Sequence, residues 1–341
     1  MEKNVTISDV AAYAKVSKAT VSRILNRPEI VGPELTVRIK QAMHDLDFQP
    51  NRHARALSGV TTKTVGLLFF NDLWDLVLNP FWGMATSTVY NYLVLNNLDC
   101  NLIALGEAIT SSERLSTRER YSDFLQTRNV DGFLVVGNVK PQQEQHLASS
   151  SAPVVLWGMP SLEPSGLTYV DTDHRQGARI AVDFLVAAGR TRVATITGDL
   201  SLAAARDRFE GYRQGLDAHE IQPLDALIAH GDFRRESGAA AMRQLLERGE
   251  PIDALFVAND EMALGALEVL NERKISVPDD IAIVGFDNVT LPRFGERRLT
   301  SVRPQYEVIG ELLVSGLIAL MRGDEVQSRL VPPTLASGDT A

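Results

Sequence analysis

Two short helices joined by a tight turn are the first elements that the pattern of apolar and polar positions predicts. Thr6 and Asp9 have the spacing of a helix start, and Ser17 begins a second helix. Behind these starts, apolar residues recur at helical spacing: Val10, Ala11 and Ala14 in the first helix, and Val21, Ile24 and Leu25 in the second. Residues 6–26 therefore predict a helix-turn-helix, whose second helix enters the major groove of DNA. A helical hairpin without a DNA role is the alternative.

A third helix and a shorter fourth one follow the hairpin. Pro33 suits a first helical position, and the apolar stripe behind it comprises Leu35, Ile39, Met43 and Leu46. Pro50 ends this region, and Asn51 can cap a two-turn helix that has too little apolar surface to be stable alone. Paired with a second copy on DNA, this helix could insert Leu57 as a wedge into the minor groove. An ordinary linker helix is the alternative.

From Thr64 onward, short apolar runs alternate with longer helical stretches. The runs are residues 65–70, 100–105, 132–137, 153–158, 192–198, 254–260 and 281–287. Because they lack polar alternation, they predict strands buried on both faces, as in parallel sheets covered by helices. Seven or more βα units suit two doubly wound sheets better than one. The Pro/Ser/Gly-rich residues 159–166 are the candidate crossing between the two sheets.

Composition and charge favour a DNA-binding head on a larger sensing body. The chain has 341 residues, 45% of them hydrophobic, which is enough for two or three domains. The first 60 residues hold nine Lys/Arg and six Asp/Glu, whereas the rest hold 25 and 37. The single Cys100 excludes an intramolecular disulfide and a multi-cysteine zinc site. Because no signal peptide precedes Thr6 and no apolar run has membrane-spanning length, we expect a cytoplasmic protein that contacts no membrane.

The predicted recognition helix divides its residues between core and DNA. Its apolar positions face the other helices, which leaves the polar ones for solvent or DNA. Lys18 and Ala19 lie near the helix start, where base edges are read, and Arg23 can reach a base or a phosphate. Ser17, Thr20 and Ser22 are natural phosphate contacts.

Two blocks of this chain resemble the LacI family of bacterial transcriptional regulators, namely TISDVAAYAKVSKATVSRILN from Thr6 and FQPNRHARAL from Phe48. The resemblance implies a homodimer that reads a palindromic operator, with a hinge helix that folds on DNA. It extends the DNA-binding set to Thr6, Ser17, Lys18, Ala19, Thr20, Ser22, Arg23, Asn26, Asn51, Arg52, Ala54, Arg55 and Leu57. One departure is Lys15, where the family usually has Gly in the turn. A left-handed backbone there would cost a non-Gly residue roughly 1 kcal/mol.

The expected architecture is a small all-α helix-turn-helix head and a two-lobed α/β body of two doubly wound parallel sheets. The body resembles periplasmic sugar-binding proteins. The expected boundaries are 1–48 for the DNA-binding domain, 49–63 for the hinge helix and linker, and 64–341 for the effector-binding and dimerisation domain. The first lobe would comprise about 64–160 and 292–325, and the second about 161–291 and 326–341. No heptad tail follows, so we expect a dimer rather than a tetramer.

Candidate ligand residues follow the strands, because ligands of open α/β sheets bind beyond the carboxyl ends of the strands. That rule selects Asn71, Asp72, Asn138, Trp157, Asn259 with Asp260, and Asp287 with Asn288. The family resemblance adds Arg208, whose Arg-x-x-Gly-aromatic motif grips the effector, and makes Asp287 its partner across the cleft. An Asn-Pro-Phe match at Asn79 adds Phe81 or Trp82. Surface ion pairs and core positions are the alternatives for the charged and aromatic residues, and Asp171 and Asp173 are interpreted as structural.

A guanidinium, a carboxylate and flat rings suit a sugar, since charged groups hold hydroxyls and rings stack on apolar sugar faces. A nucleobase or nucleoside is the alternative effector. The sequence lacks the common enzyme motifs, and its six histidines show no metal spacing, so we expect neither catalysis, a cofactor nor a metal. The function expected is a repressor of carbohydrate uptake or catabolism genes. Two departures affect the effector: the segment 71–78 is longer than usual, and the C-terminus lacks the family's Arg.

Overall fold

The computed structural model describes residues 5–26, 32–48, 62–71, 73–105, 130–161, 164–289 and 298–341. The chain divides into two compact units. The first contains residues 1–64 and 127–131, and the second contains residues 65–126 and 132–341.

The described part of the head contains three helices: α1 (Ile7–Tyr13), α2 (Lys18–Asn26) and α3 (Pro33–Asp45). They enclose a small core in which Val10, Val21 and Ile39 are fully buried. The Asp9 carboxylate accepts hydrogen bonds from the Thr6 N–H (2.8 Å) and hydroxyl (2.6 Å), so the predicted helix start is confirmed. Lys15 has φ 51, and the turn therefore keeps a left-handed backbone without glycine.

The first lobe of the body is built on a six-stranded sheet with the order β11-β5-β4-β3-β1-β2. Its strands are β1 (Thr64–Phe69), β2 (Asp99–Ala104), β3 (Gly132–Val136), β4 (Val154–Trp157), β5 (Thr168–Thr172) and β11 (Arg329–Val331). The neighbouring strands from β1 to β11 pair in parallel. The helices of this lobe are α4 (Leu73–Leu78), α5 (Pro80–Leu95), α6 (Pro141–Ala148) and α11 (Tyr306–Arg322), of which α11 packs against α5 and the sheet.

The second lobe holds a sheet with the order β12-β10-β9-β8-β6-β7. Its strands are β6 (Val193–Thr197), β7 (Ile228–His230), β8 (Ala254–Val257), β9 (Ala282–Phe286), β10 (Thr300–Arg303) and β12 (Thr334–Ala336). These pair in parallel except for the antiparallel β12. The helices are α7 (His174–Ala187), α8 (Ala203–Ala218), α9 (Arg235–Glu247) and α10 (Asp260–Glu272), with a 3-10 turn at Asp225–Leu227. Helix α7 packs against α8, and α9 packs against α10.

All seven apolar runs form strands, and the two-sheet α/β body is confirmed. The predicted crossing at 159–166 is wrong, because β5 still belongs to the first sheet and the chain crosses after Thr172. The predicted lobe segments also change. Strand β10 lies in the second sheet although 292–325 was assigned to the first lobe, and β11 lies in the first although 326–341 was assigned to the second. These short, half-polar strands form by pairing with neighbouring strands, and no long run of apolar residues marks them in the sequence.

Candidate functional site

A cleft of about 470 Å³ lies where strands of both sheets end. Ligand pockets commonly measure about 300–1,000 Å³. Eight of the nine predicted effector residues line it: Asn71, Phe81, Trp82, Asn138, Trp157, Arg208, Asn259 and Asp287. The ninth, Asp72, lies outside the described residues. The strand-end rule and the family motifs therefore select side chains that share one cavity.

Arg208 is buried on α8 with only 5% of its surface exposed. Its guanidinium donates to the Ala258 carbonyl oxygen and, at 3.2 Å, to Nδ1 of His174. The Phe286 ring lies 3.7 Å below the guanidinium carbon, which is cation–π geometry. Packing requires the glycine of the Arg-x-x-Gly-aromatic motif, Gly211, because a Cβ there would approach the Arg175 carbonyl oxygen within 2.2 Å. The glycine lets α8 pack closely on α7 and so carries Arg208 into the cleft.

Asp287 follows β9 and faces Arg208. Its Oδ1 lies 3.2 Å from Nη2 of Arg208, an ion pair between two buried groups. The alignment is not that of a hydrogen bond, and among the described residues this buried oxygen has no hydrogen-bond partner. Burial raises the pKa of Asp287 to about 6, although Arg208 and His174 act to lower it. Asp287 therefore places a buried carboxylate with a raised pKa in the lining of the cleft.

The residues around this ion pair form a second set of buried polar groups. His174 Nε2 lies 3.3 Å from Asp171 Oδ1, and the Asp171 carboxylate also accepts from the Met159 N–H (2.9 Å). Burial alone would raise the pKa of Asp171, but His174 and the N–H donors outweigh it, so its pKa is lowered. Asp260 accepts from the Ser301 hydroxyl (2.6 Å), and burial with the nearby Asp287 charge raises its pKa well above the usual range. Asp260 therefore supports the site as a buried neighbour of Asp287 that holds the Ser301 hydroxyl.

Aromatic rings form the wall of the cleft on the first lobe. The centroids of Phe81 and Trp82 lie 4.7 Å apart, and those of Phe81 and Trp157 lie 6.5 Å apart. All three rings line the cavity and also join or contact the hydrophobic core. These aromatic residues can therefore pack with the core and contact a ligand at the same time. Trp74 is neither, since it is 62% exposed on α4.

Several side-chain amides in the cleft already make hydrogen bonds within the protein. The Asn259 side chain caps α10 by accepting from the Met262 N–H, and its amide nitrogen donates to the Phe233 carbonyl oxygen, both at 3.0 Å. Asn71 accepts from the Asn138 N–H (2.9 Å) and donates to Asp75 (3.1 Å). These residues shape the cleft even where their polar atoms are already bonded.

Sequence reasoning missed part of the lining: Asp75, Asn79, Glu144, Ser161, His174, Asp199, Asp232, Phe233 and Arg234 also face the cavity, and so does Asp171, interpreted as structural. The strand-end rule could have selected Asp199 and Asp232, which follow β6 and β7. Asp173 does have the structural role predicted for it, because it caps α7 by accepting from the Gln176 N–H at 2.9 Å.

In the head, the predicted DNA-reading residues of α2 and its start are exposed or half-buried. Ser17, Lys18, Ala19 and Arg23 are exposed, and Thr20 and Ser22 are half-buried. The Ser17 hydroxyl oxygen accepts from the Thr20 N–H at 3.1 Å, so Ser17 caps α2. Thr6, which is also exposed, is the N-cap residue of α1. The side chain of Asn26 lies outside the described residues, and so do Asn51, Arg52, Ala54, Arg55 and Leu57.

Other classes of site find no support in the described part of the chain. No described helix is long and apolar enough to cross a membrane. In the same ranges, no cluster of three or more His, Cys, Asp or Glu side chains could hold a metal ion.

Comparison with known proteins gives matches along the whole chain. Residues 6–51 match the family described as bacterial regulatory proteins, lacI family, and residues 182–341 match a periplasmic binding protein-like domain. The HTH-type transcriptional regulator CelR of Thermobifida fusca is 34% identical, and catabolite control protein A of Priestia megaterium is 32% identical. The match covers 96% of both chains in each case.

Solved structures agree with these relatives. The complex of the transcriptional regulator CelR with cellobiose has a TM-score of 0.75 at 32% identity, covering 99% of this chain and 100% of that one. The lac repressor dimer bound to operator and the anti-inducer ONPF has a TM-score of 0.83 at 26% identity, covering 99% of both chains. A DNA-binding head, a two-lobed body and whole-length relatives that are regulators lead to one conclusion. This chain belongs to the LacI family of DNA-binding transcriptional regulators.

Proposed function

We propose that this protein is a dimeric repressor whose head binds a palindromic operator and whose cleft binds a neutral sugar that controls this binding. The observation that carries the sugar-binding part is the buried Arg208–Asp287 ion pair, whose two residues line the cleft together with the aromatic rings of the first lobe. A sugar hydroxyl would donate to the Asp287 carboxylate. The relative CelR, whose complex with cellobiose is similar in fold, supports a carbohydrate over the nucleoside alternative.

The charges around the cleft favour a neutral ligand over an anionic one. Arg208 is already paired with Asp287, and Arg234 is the other arginine among the lining residues. Five further carboxylates among the described residues line the same cavity: Asp75, Glu144, Asp171, Asp199 and Asp232. A phosphorylated sugar would meet this negative potential, whereas hydroxyls can donate to carboxylates.

Operator choice is assigned to Lys18, Ala19 and Arg23, which α2 exposes near and beyond its start. Residues that contact base edges determine the sequence read, while hydroxyl contacts to phosphates position the helix. The hinge residues Asn51, Arg52, Ala54 and Arg55 with the wedge Leu57 remain proposals from the family resemblance.

The dimer is proposed to form through an apolar face on the first lobe, with a second copy of this chain as the occupant. Helix α5 exposes Tyr90, Val94 and Leu95, the edge strand β2 exposes Leu102, and α4 exposes Trp74, Val77 and Leu78. Exposed apolar residues grouped on adjacent elements are typical of interaction surfaces. The lac repressor, similar in fold over the whole chain, is described as a dimer, and two heads are needed to read two half-sites.

Replacing Leu95 by aspartate is expected to convert the dimer to monomers, because it places a charge in an apolar contact. Sedimentation velocity measures the change. Operator affinity should fall as well, since each monomer contacts one half-site. Leu224→Asp, the same substitution at an exposed leucine of the second lobe, should leave the dimer intact. A dimeric Leu95→Asp variant would exclude this face.

The affinity for the cleft ligand is expected to fall as the pH drops through about 6, the pKa to which burial raises Asp287. Ligand hydroxyls donate to the ionised carboxylate, so protonation removes their acceptor. Below the pKa, affinity should fall about tenfold per pH unit. Titration calorimetry across this range measures the profile, and Asp287→Asn should bind more weakly with the dependence removed. An equally steep profile in that variant would assign the proton to another group.

A thermal-shift screen tests the proposed ligand class, since a ligand that binds the native state raises the unfolding midpoint. The probes are cellobiose and other neutral sugars, glucose 6-phosphate and adenosine. Stabilisation by a neutral sugar alone supports the proposal. Stabilisation by adenosine with no effect of any sugar would replace it with the nucleoside alternative, and a response to glucose 6-phosphate alone would contradict the argument from charge.

A further inference from the structure

Tyr306 stands at the start of α11 and belongs to the core of the first lobe. Its ring is buried, with centroid distances of 6.4 Å to Phe81 and 6.1 Å to Trp157. Those two rings line the cleft. The position of Tyr306 is therefore fixed by the aromatic wall of the first lobe.

The hydroxyl of Tyr306 crosses to the second lobe, where it donates to the backbone carbonyl oxygen of Asp287 at 2.8 Å. Asp287 has φ 102 and Asn288 has φ 49, so two consecutive residues with side chains occupy the left-handed region. Such conformations persist where surrounding contacts hold them, and they concentrate at ligand sites. The carbonyl that Tyr306 binds belongs to the peptide unit between these two residues.

Other contacts restrain the same turn from within the second lobe. The Asp287 N–H donates to the Val302 carbonyl oxygen (2.8 Å), and the Asn288 N–H donates to the Ser301 hydroxyl (3.0 Å). These bonds hold the turn against β10 but do not relate it to the first lobe. The bond from Tyr306 supplies that relation.

We propose that Tyr306 is a positioning residue for the cleft ligand, holding the Asp287 turn so that the acid is placed against both Arg208 and the aromatic wall. The inference rests on the proposed function, in which Asp287 and the rings bind one sugar. A sugar that stacks on the first lobe and donates to Asp287 on the second needs these groups at a fixed separation. The Tyr306 ring contacts the aromatic wall and its hydroxyl binds the Asp287 turn, so Tyr306 sets this separation.

Tyr306→Phe tests the proposal because it removes the hydroxyl and keeps the ring in the core. Tyr212→Phe is the matched control. Tyr212 is also fully buried, and its hydroxyl donates to the Val193 carbonyl oxygen at the same 2.8 Å, but both groups lie within the second lobe and outside the cleft lining. The two variants thus lose the same kind of bond, and only one of them lies beside the ligand site.

The first measurement needs no ligand: amide hydrogen exchange of the peptide that contains residues 285–289. Exchange there should be faster in Tyr306→Phe than in wild type, and unchanged in Tyr212→Phe. The second is titration with cellobiose, for which Tyr306→Phe should bind about tenfold more weakly, as expected for a lost positioning bond, while Tyr212→Phe binds as wild type does.

The pH profile of cellobiose binding separates positioning from a general loss of stability. The groups that face Asp287 are Arg208 on α8, His174 on α7, Asp260 on α10 and Tyr306 itself. Displacement of the carboxyl group from these neighbours should move the midpoint of the profile in Tyr306→Phe and not in Tyr212→Phe.

Equal cellobiose affinity in Tyr306→Phe and wild type would overturn the proposal, and so would unchanged exchange of residues 285–289. If wild type itself does not bind cellobiose, that sugar is not the ligand of the cleft. The exchange result still decides whether Tyr306 holds the Asp287 turn.

Discussion

Replacing Arg208 by methionine is expected to weaken sugar binding in the cleft by about a hundredfold or more, because a charged, desolvated hydrogen-bonding group is lost. Arg208 lies between the Phe286 ring, the His174 imidazole and the Asp287 carboxylate, and no other described arginine contacts these three groups. Operator binding by the ligand-free variant should be retained, since the head is a separate compact unit. Titration calorimetry with cellobiose and fluorescence anisotropy with an operator duplex measure the two activities.

The single substitution also leaves Asp287 buried without its cation. Removing one partner of a buried ion pair costs about 3–5 kcal/mol, and the carboxyl group, whose pKa is already raised, would take up a proton to limit that cost. The double variant Arg208→Met with Asp287→Asn removes both charges and is the control. It should recover most of the stability without recovering sugar binding. Normal sugar affinity in either variant would place the ligand elsewhere.

Replacing Ile39 by aspartate is expected to abolish specific operator binding and leave sugar binding unchanged. Ile39 is fully buried at the centre of the head, whose core in the described residues comes from three short helices. Burying a carboxylate there costs more than so small a core can offset, so the head should unfold. Specific binding typically exceeds non-specific binding about a thousandfold or more, and that difference should disappear.

Val37→Asp is the matched control for this prediction. It makes the same substitution two residues away on the same helix, at a position that is 68% exposed. Operator anisotropy should find Val37→Asp close to wild type and Ile39→Asp without specific binding, while cellobiose titration finds all three alike. Specific operator binding by Ile39→Asp would mean that the three-helix head does not carry DNA recognition.

The chain's own pattern predicted the strands that are buried on both faces. Apolar runs such as 65–70 and 281–287 correspond to β1 and β9 because a parallel sheet under helices demands continuous apolar side chains. Strand β5 was missed for the opposite reason. Its sequence Thr-Tyr-Val-Asp-Thr is half polar, and it becomes a strand by pairing with β4 and β11. The first crossing was therefore placed one strand too early.

The residues of the candidate site also divide into those that the sequence predicted and those that it did not. Arg208 and Asp287 were found because a motif or a strand end marks them, and the structure brings them within 3.2 Å. His174 and Tyr306 were not found, because each acts through a partner distant in sequence: Arg208 lies 34 residues from His174, and Asp287 lies 19 residues from Tyr306. Pairing between segments that are distant in sequence leaves no local pattern in the chain. The structure of the long segment after Asn71 was also not predicted from the sequence. It forms helix α4, on which Trp74 is exposed.

The central claim is that occupancy of the cleft controls operator binding, a coupling between two sites that must be reciprocal. The direct test is fluorescence anisotropy with an operator duplex selected from a random pool, with and without a saturating cleft ligand from the screen. We predict that the ligand changes the operator Kd of the wild type by about tenfold or more, and that of the Arg208→Met, Asp287→Asn double variant not at all. An operator Kd that is the same with and without bound ligand in the wild type would contradict the account.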